Sequence, residues 1–353
     1  MTGREDIPGS TDDVLSGDPE VKSVTVNTVK IRPPEVSTPP RCSGTVFYVD
    51  DCLKSLNSTK HAISLVKDLQ AVLSHGGFHI SKWISNSREV MNSIPASERA
   101  KEVKDLDLNQ DILPIDRALG VQWCVETDAF RFKIAVKNQP PTRRGILSMV
   151  SSVFDPLGFL GPFMLPAKRI LQELCKLQLG WDEQIPEVYS ARWRLWLQDL
   201  EKLSSFTVDR CMKPAEFGSV TSARLHHFSD ASEVGYGVAT YLRLENSEGK
   251  VHCSFLLGKS RVSPLKQITI PRLELTAATV AVRMDKMLKD ELDVTVGPSM
   301  FWTDSMTVLR YIQNRTARFH TFVANRIAVI HEGSEPIQWR YVNTKVNSGA
   351  QFQ

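Results

Sequence analysis

Leu225–Leu242, with the sequence LHHFSDASEVGYGVATYL, reads as a strand, a tight bend at Glu233-Val234-Gly235, and a second strand. Phe228 and the series Tyr236, Val238, Thr240, Leu242 show the two-residue period of pleated chain. Asp230 sits in the first strand beside the small residues Ser229, Ala231 and Ser232. A carboxylate on a buried strand is costly unless a cation shares its site. Hard divalent cations take carboxylate oxygens, which makes a metal the expected partner.

Two more acids lie downstream at fitting places. Glu274 falls in Ile270-Pro271-Arg272-Leu273-Glu274-Leu275, in the first turn of a long helical pattern, and Asp304 falls in Phe301-Trp302-Thr303-Asp304-Ser305, between an apolar strand and a helix. Taken singly, each has an ordinary reading. Asp230 caps a turn, Glu274 favours a helix N-terminus through the macrodipole, and Asp304 caps its helix. From about residue 216 the pattern predicts strands at 224–230, 235–243, 251–258, 299–303 and 338–342, with helices at 271–292, 304–314 and 319–332. Three strands in a meander, then a helix crossing to a parallel strand, imply a mixed five-stranded sheet. The first helix carries Leu273, Ala277, Val280, Ala281, Met284 and Leu288 as an apolar stripe.

The order strand Asp, helix Glu, strand-end Asp resembles ribonuclease H. The wording of the motifs, SDAS, PRLEL and FWTDS, resembles Pol polyproteins of BEL/Pao-type LTR retrotransposons from about Val46 to about Ala350. The resemblance implies that Asp230, Glu274 and Asp304 hold two Mg²⁺ ions and hydrolyse the RNA of an RNA–DNA hybrid. Paired ions activate a water and neutralise charge on the phosphate, and a hybrid differs from DNA by its 2′-hydroxyls. In that family a fourth aspartate follows the QWRYV strand. Here Gln351 stands at that place, in Asn347-Ser348-Gly349-Ala350-Gln351, with no helix expected to carry it. Loss of that charge predicts impaired or absent nuclease activity.

Working outward, Thr45-Val46-Phe47-Tyr48-Val49-Asp50-Asp51 runs a strand into two acids and resembles the YVDD hairpin of a reverse-transcriptase palm. Asp50 and Asp51 are therefore candidate metal-holding residues of a second centre. The helical run Leu56–Gly76, the strand Gly77–Trp83, and the hairpin signals at Leu119–Trp123 and Asp128–Phe132 fit the same unit. A polymerase also needs an aspartate from an earlier palm strand, and none is credited; Asp12-Asp13 lies in a polar run. Residues 44–137 are read as a palm remnant, 138–215 as a helical thumb or connection, and 216–353 as a ribonuclease H-like domain truncated at its C-terminal end. Asp155 and Asp182 read as turn and cap residues, and Thr142 as a helix cap. The fold class is a multidomain α/β and α+β chain.

Residues 1–43 are rich in Pro, Ser, Thr and acids, with Pro33-Pro34 and Pro39-Pro40, and are expected to be disordered and foreign to the rest. The net charge is only +3, so overall charge does not announce a nucleic-acid binder. The six cysteines show no paired spacing, which speaks against a zinc or disulfide framework and for a reducing, intracellular setting. No signal-peptide core or membrane-length apolar run is present. Three functions compete: a Pol fragment with impaired nuclease activity, a non-catalytic nucleic-acid-binding remnant, and an aspartic peptidase. The last needs Asp-Thr/Ser-Gly, which the sequence lacks; Thr303-Asp304-Ser305 continues into Met306. The resemblance also allows contacts with other Pol segments, while oligomeric state leaves no signal.

Overall fold

The structure, a computed structural model, describes residues 24–29, 31–32, 47–48, 51–56, 58–118, 121–214, 216–292 and 294–352. Its described apolar residues gather into three cores, one from Ala62 to Val125, one from Phe132 to Leu200, and one from Phe217 to Trp339.

In the last of these units the strands are numbered β1 (Val220–Ala231), β2 (Gly235–Asn246), β3 (Val251–Val262), β4 (Met300–Thr303) and β5 (Trp339–Tyr341). The helices are α1 (Ile270–Glu291), α2 (Met306–Gln313) and α3 (Thr321–Gly333). The sheet order is β3-β2-β1-β4-β5. β1 pairs antiparallel with β2, and β2 with β3; β1 pairs parallel with β4, and β4 with β5. The mixed five-stranded sheet is thus as the alternation predicts, with each strand of the meander running further than expected. Length on both sides comes from continued alternation: β1 buries Ala223, Leu225, His227 and Ser229 on one side. Helix α1 lays Leu275, Ala278, Ala281, Val282 and Met284 against that face, and the small alanines let helix and sheet approach.

Inside this core lies a polar cluster. His227 Nε2 meets Asp285 Oδ1 at 3.0 Å, and His227 Nδ1 meets Thr240 Oγ1 at 2.8 Å. Asp285 also accepts from Lys289 Nζ at 2.8 Å and from Ser299 Oγ. Burial pulls the His227 imidazole below its ordinary value, with Asp285 opposing, whereas the donors around Asp285 outweigh its burial and hold its carboxyl low. The cluster ties α1 to β1, β2 and the start of β4.

The middle unit has helices Arg143–Ser152, Gly161–Lys176 and Glu187–Lys202. Thr142 caps the first, with Oγ1 accepting from Gly145 N at 3.2 Å. Asp155 accepts from Phe159 N at 3.0 Å and Leu160 N at 2.7 Å, and Asp182 pairs with Arg144 at 2.7 Å, so both serve as local structural acids. Trp193 and Trp196 stack at 4.8 Å inside the core. The second helix starts at Gly161 and takes Pro162 in its first turn, where no N–H is needed.

In the first unit, Phe47–Tyr48 pairs antiparallel with Asp51–Leu56, placing Tyr48 opposite Asp51, as a hairpin requires. Residues 1–43, expected to lack regular structure, instead contribute strands Val24–Val29 and Ile31–Arg32. Val24–Val29 pairs with Asp51–Leu56 on one edge and with Ile84–Ser85 on the other. Its sequence, VTVNTV, is β-branched at every position but Asn27, a local strand preference that the surrounding proline-rich composition masks. The helical run is Thr59–His75, where Leu69 and Leu73 are buried but Val72 points to solvent. The hairpin after it turns at Asp128, whose carboxylate accepts from Arg210 Nε at 2.7 Å, Arg210 Nη2 at 2.9 Å and Trp123 Nε1 at 2.9 Å. Among the described residues, no helix is long and apolar enough to cross a membrane.

Candidate active site at the carboxylate cluster

Asp230 lies near the end of β1, one residue before the strand stops, and is buried at 3% exposure. Its Oδ1 accepts from Ala231 N at 2.7 Å. Asp304 follows β4 directly. It is not the cap of α2: Ser305 is, with Oγ accepting from Val308 N at 3.3 Å. Because β1 and β4 are parallel neighbours with Ser229 opposite Thr303, the residues that follow, Asp230 and Asp304, emerge side by side. Glu274 sits in the fifth position of α1 rather than in its first turn, since the helix begins at Ile270.

The three acids interact. Asp230 is within hydrogen-bonding reach of Asp304 and also feels the charge of Glu274. Burial, followed by the Asp304 and Glu274 charges, pushes the Asp230 carboxyl from its ordinary 3.8 up to about 7. Burial and the Asp304 charge likewise raise Glu274, against the hydrogen bond from Ser305.

Each carboxylate has a different restraint. Thr344 Oγ1 donates to Asp304 Oδ2 at 2.6 Å. Asp304 Oδ1 is buried and has no hydrogen-bond partner among the described residues. Glu274 Oε2 accepts from Ser305 Oγ, which turns it toward the cap of α2. Among the described residues no group of three or more His, Cys, Asp or Glu is arranged to hold a metal ion. The donor set therefore fits a cation held by Asp230 and Asp304, at the orphaned oxygen.

The segment expected to bear the fourth acid passes over the ends of these strands. Asn347 Nδ2 donates to Ser229 O at 3.2 Å, next to Asp230. Residues Ser348–Phe352 form a 3₁₀ helix, so Gln351 does have a helical turn to carry it; its side chain is exposed. Phe352 is buried, and its ring stacks on Phe255 at 5.6 Å. It fits because Gly237 and Gly258 lie beneath it. A Cβ on Gly237 would come within 2.2 Å of Phe352 O, and one on Gly258 within 2.3 Å of the ring. From Asn343 to Phe352 the segment carries no Asp or Glu.

Of the other candidates, Asp50 lies outside the described residues, and for Asp51 the structure describes only its place at the start of a strand. The residues that hold the carboxylates, Ser305, Thr344 and Asn347, carry weaker signals. Ser305 has one, a serine three residues before Val308 at a helix start. Thr344 and Asn347 have none, since their partners are 40 and 118 residues away.

A five-stranded mixed sheet with acids at the ends of neighbouring parallel strands and on the crossing helix defines a ribonuclease H-like unit. Residues 142–305 match the protein-family model described as "Pao retrotransposon-like RNaseH-like domain". Asp230, Glu274 and Asp304 all fall within the matched span. No curated protein matches it. Among solved structures, it is similar to the N-terminal RNase H domain of a Mycobacterium tuberculosis protein fused to maltose binding protein, at 11% identity over 36% of this chain and 87% of that one, TM-score 0.24. It is similar to RNase H1 of the halophilic archaeon Halobacterium salinarum at 12% identity, over 36% and 90%, TM-score 0.25. It is also similar to a foamy viral protease-reverse transcriptase in complex with dsDNA at 12% identity, over 86% of this chain but only 56% of that one, TM-score 0.21.

Proposed function

We propose that the chain is part of a retrotransposon Pol polyprotein whose ribonuclease H-like unit cuts the RNA strand of an RNA–DNA hybrid weakly. The observation that carries this reading is the buried, unpartnered Asp304 Oδ1 beside a carboxyl whose ionisation is resisted. Such a pair is unfavourable by itself and favourable around a cation. A divalent ion such as Mg²⁺, when bound, would neutralise charge on the scissile phosphate and favour ionisation of a water. Asp230 and Asp304 would hold it. Thr344 fixes the Asp304 carboxylate in the required orientation, and Ser305 holds Glu274 in reserve for a second ion. That second ion has weak support, because the segment from Asn343 to Phe352 brings no carboxylate.

On the same reading, residues 44–137, 138–215 and 216–353 are the palm remnant, the connection and the nuclease unit, with Asp50 and Asp51 the surviving polymerase acids. The strand beside the Tyr48–Asp51 pair, Val24–Val29, offers no carboxylate to complete them, which argues for a silent polymerase.

The test is cleavage of a labelled RNA–DNA hybrid with millimolar Mg²⁺. Slow cleavage that disappears in Asp230→Asn is the expected result. The bond between Glu274 and Ser305 favours a second reading, a nucleic-acid binder without catalysis. Absence of cleavage together with salt-sensitive hybrid binding would select that reading.

A further inference from the structure

The five-stranded sheet has two faces, and α1 covers one of them. Ala223, Leu225, His227 and Ser229 of β1 are buried on that side, so Arg224, His226 and Phe228 point the other way. On this second face the strands bring like residues together. Arg224 lies opposite Arg243, His226 opposite Tyr241, and Phe228 beside Trp302 of β4. Phe228 stacks on Trp302 at 5.8 Å and meets Tyr241 edge-on at 5.8 Å. All six of these residues stay partly exposed, whereas their neighbours toward α1 are buried. Among the described residues, Ser348–Phe352 crosses this face at the Gly237 and Gly258 end. A parallel pair such as β1–β4 is ordinarily covered on both faces.

The Arg224 end of the face is unfavourable as it stands. Like charges directly opposite one another on a sheet repel. Glu245 answers Arg243 at 2.9 Å, but Arg224 has no ion pair among the described residues. Beside the arginines, Trp302 Nε1 donates to His226 Nδ1 at 3.1 Å, which leaves the imidazole proton on Nε2. That Nε2 is buried and has no hydrogen-bond partner among the described residues. Burial, then the Arg243 and Arg224 charges, pull the imidazole down to about 4, so it stands there as a neutral donor. A buried donor left unmet is costly. One carboxylate answers all three groups, since it accepts from guanidinium forks and from a ring N–H. Charge also sorts the possible occupants. A second copy would bring the same arginines and be repelled. A backbone phosphate stays at the surface, out of reach of a buried N–H, and Phe228 and Trp302 already spend their faces on each other. A side-chain carboxylate beside apolar residues fits both the charge and the rings.

We propose that this face is the docking surface for an acidic amphipathic helix of a protein partner. Its apolar stripe lies on Phe228, Tyr241 and Trp302, and one of its Glu or Asp carboxylates sits between Arg224, Arg243 and His226. The mode is that of a helix laid by its apolar side onto a hydrophobic surface, with the charge fixing its register. The surface needs no metal, so it is independent of the proposed nuclease chemistry.

The probe is a labelled synthetic helical peptide of about 18 residues, with leucines in the apolar stripe of an amphipathic helix and glutamates flanking it. Fluorescence anisotropy follows its binding to the full chain in EDTA, so failure of the nuclease reading does not touch the result. Changing the peptide glutamates to glutamine should weaken binding about tenfold, and so should Arg224→Gln. The two losses should fall short of additive, because both remove the same contact. Arg224→Glu should end binding and raise the Tm of the free chain, since it sets opposite charges across the strand pair. A merely structural Arg224 would lower that Tm. Wild-type affinity in Arg224→Glu, indifference to the glutamine peptide, or no binding at about 1 mM peptide overturns the proposal. Equal competition by an oligonucleotide at matched charge overturns it in favour of nucleic acid. Self-association of the chain that is lost in Arg224→Glu overturns it in favour of a second copy.

Discussion

Replacing Asp230 by Asn should stabilise the metal-free protein. Asp230 is buried at 3% exposure, within reach of Asp304, and its carboxyl is pushed from 3.8 up to about 7. Each tenfold change in a proton equilibrium is about 1.4 kcal/mol. Holding the ionised form above pH 7 therefore costs about 4 kcal/mol, an upper figure because a loosened site would admit water. Asn removes that cost, and its amide offers a donor to the orphaned Asp304 Oδ1. A gain of about 2–4 kcal/mol at about pH 8 is expected, a rise in Tm of several degrees. The pH dependence has a definite sign. A carboxyl whose folded value is raised stabilises fully below its unfolded value, and that contribution is lost as pH rises through the folded value. The advantage of Asn should thus be absent near pH 4, grow between about pH 4 and 7, and level off above. The assay is thermal unfolding in EDTA across that range, repeated with Mg²⁺. The ion should raise the Tm of the wild type at about pH 8 and leave Asp230→Asn nearly unmoved. An equal or lower Tm for the variant at pH 8 in EDTA would refute the claim that the carboxylates crowd one another.

Other perturbations test the frame around the site. Phe352→Ala empties the space over Gly237 and Gly258 and should cost about 3–5 kcal/mol in denaturant unfolding. Gly237→Ala, whose Cβ would lie 2.2 Å from Phe352 O, should expel the terminal turn, seen as faster proteolysis of the last residues. Asp285→Ala strands His227 and Ser299 in the core and should cost about 3–5 kcal/mol, measured in the same way. In Asp230→Asn, stability should fall as pH drops below about 6.5, because burial lowers His226 to about 4 and also depresses His227. A group whose folded value is lowered in this way favours the folded state only while it stays neutral.

The ribonuclease H-like half was legible because its signals are local. Period-two alternation gave β1 and β2, period 3.6 gave α1, and Asp230, Glu274 and Asp304 announced themselves by sitting where strands or a helix begin or end. The start of the helical unit was legible for the same reason, through Thr142 as a cap. The strand Val24–Val29 was missed because composition averaged over 43 residues hid a run that is β-branched at every position but Asn27.

The sequence by itself determined the order of strands, the sign of charge at three separated positions, and the absence of acids from Asn343 to Phe352. Tertiary structure alone decided that Thr344 clamps Asp304, that Ser305 holds Glu274 aside, and that Phe352 fills a glycine-floored hollow. The physical reason is range. Hydrophobic period and helix capping act within a few residues, whereas a hydroxyl, an amide or a lysine acquires meaning only from what the folded chain brings within about 3 Å of it.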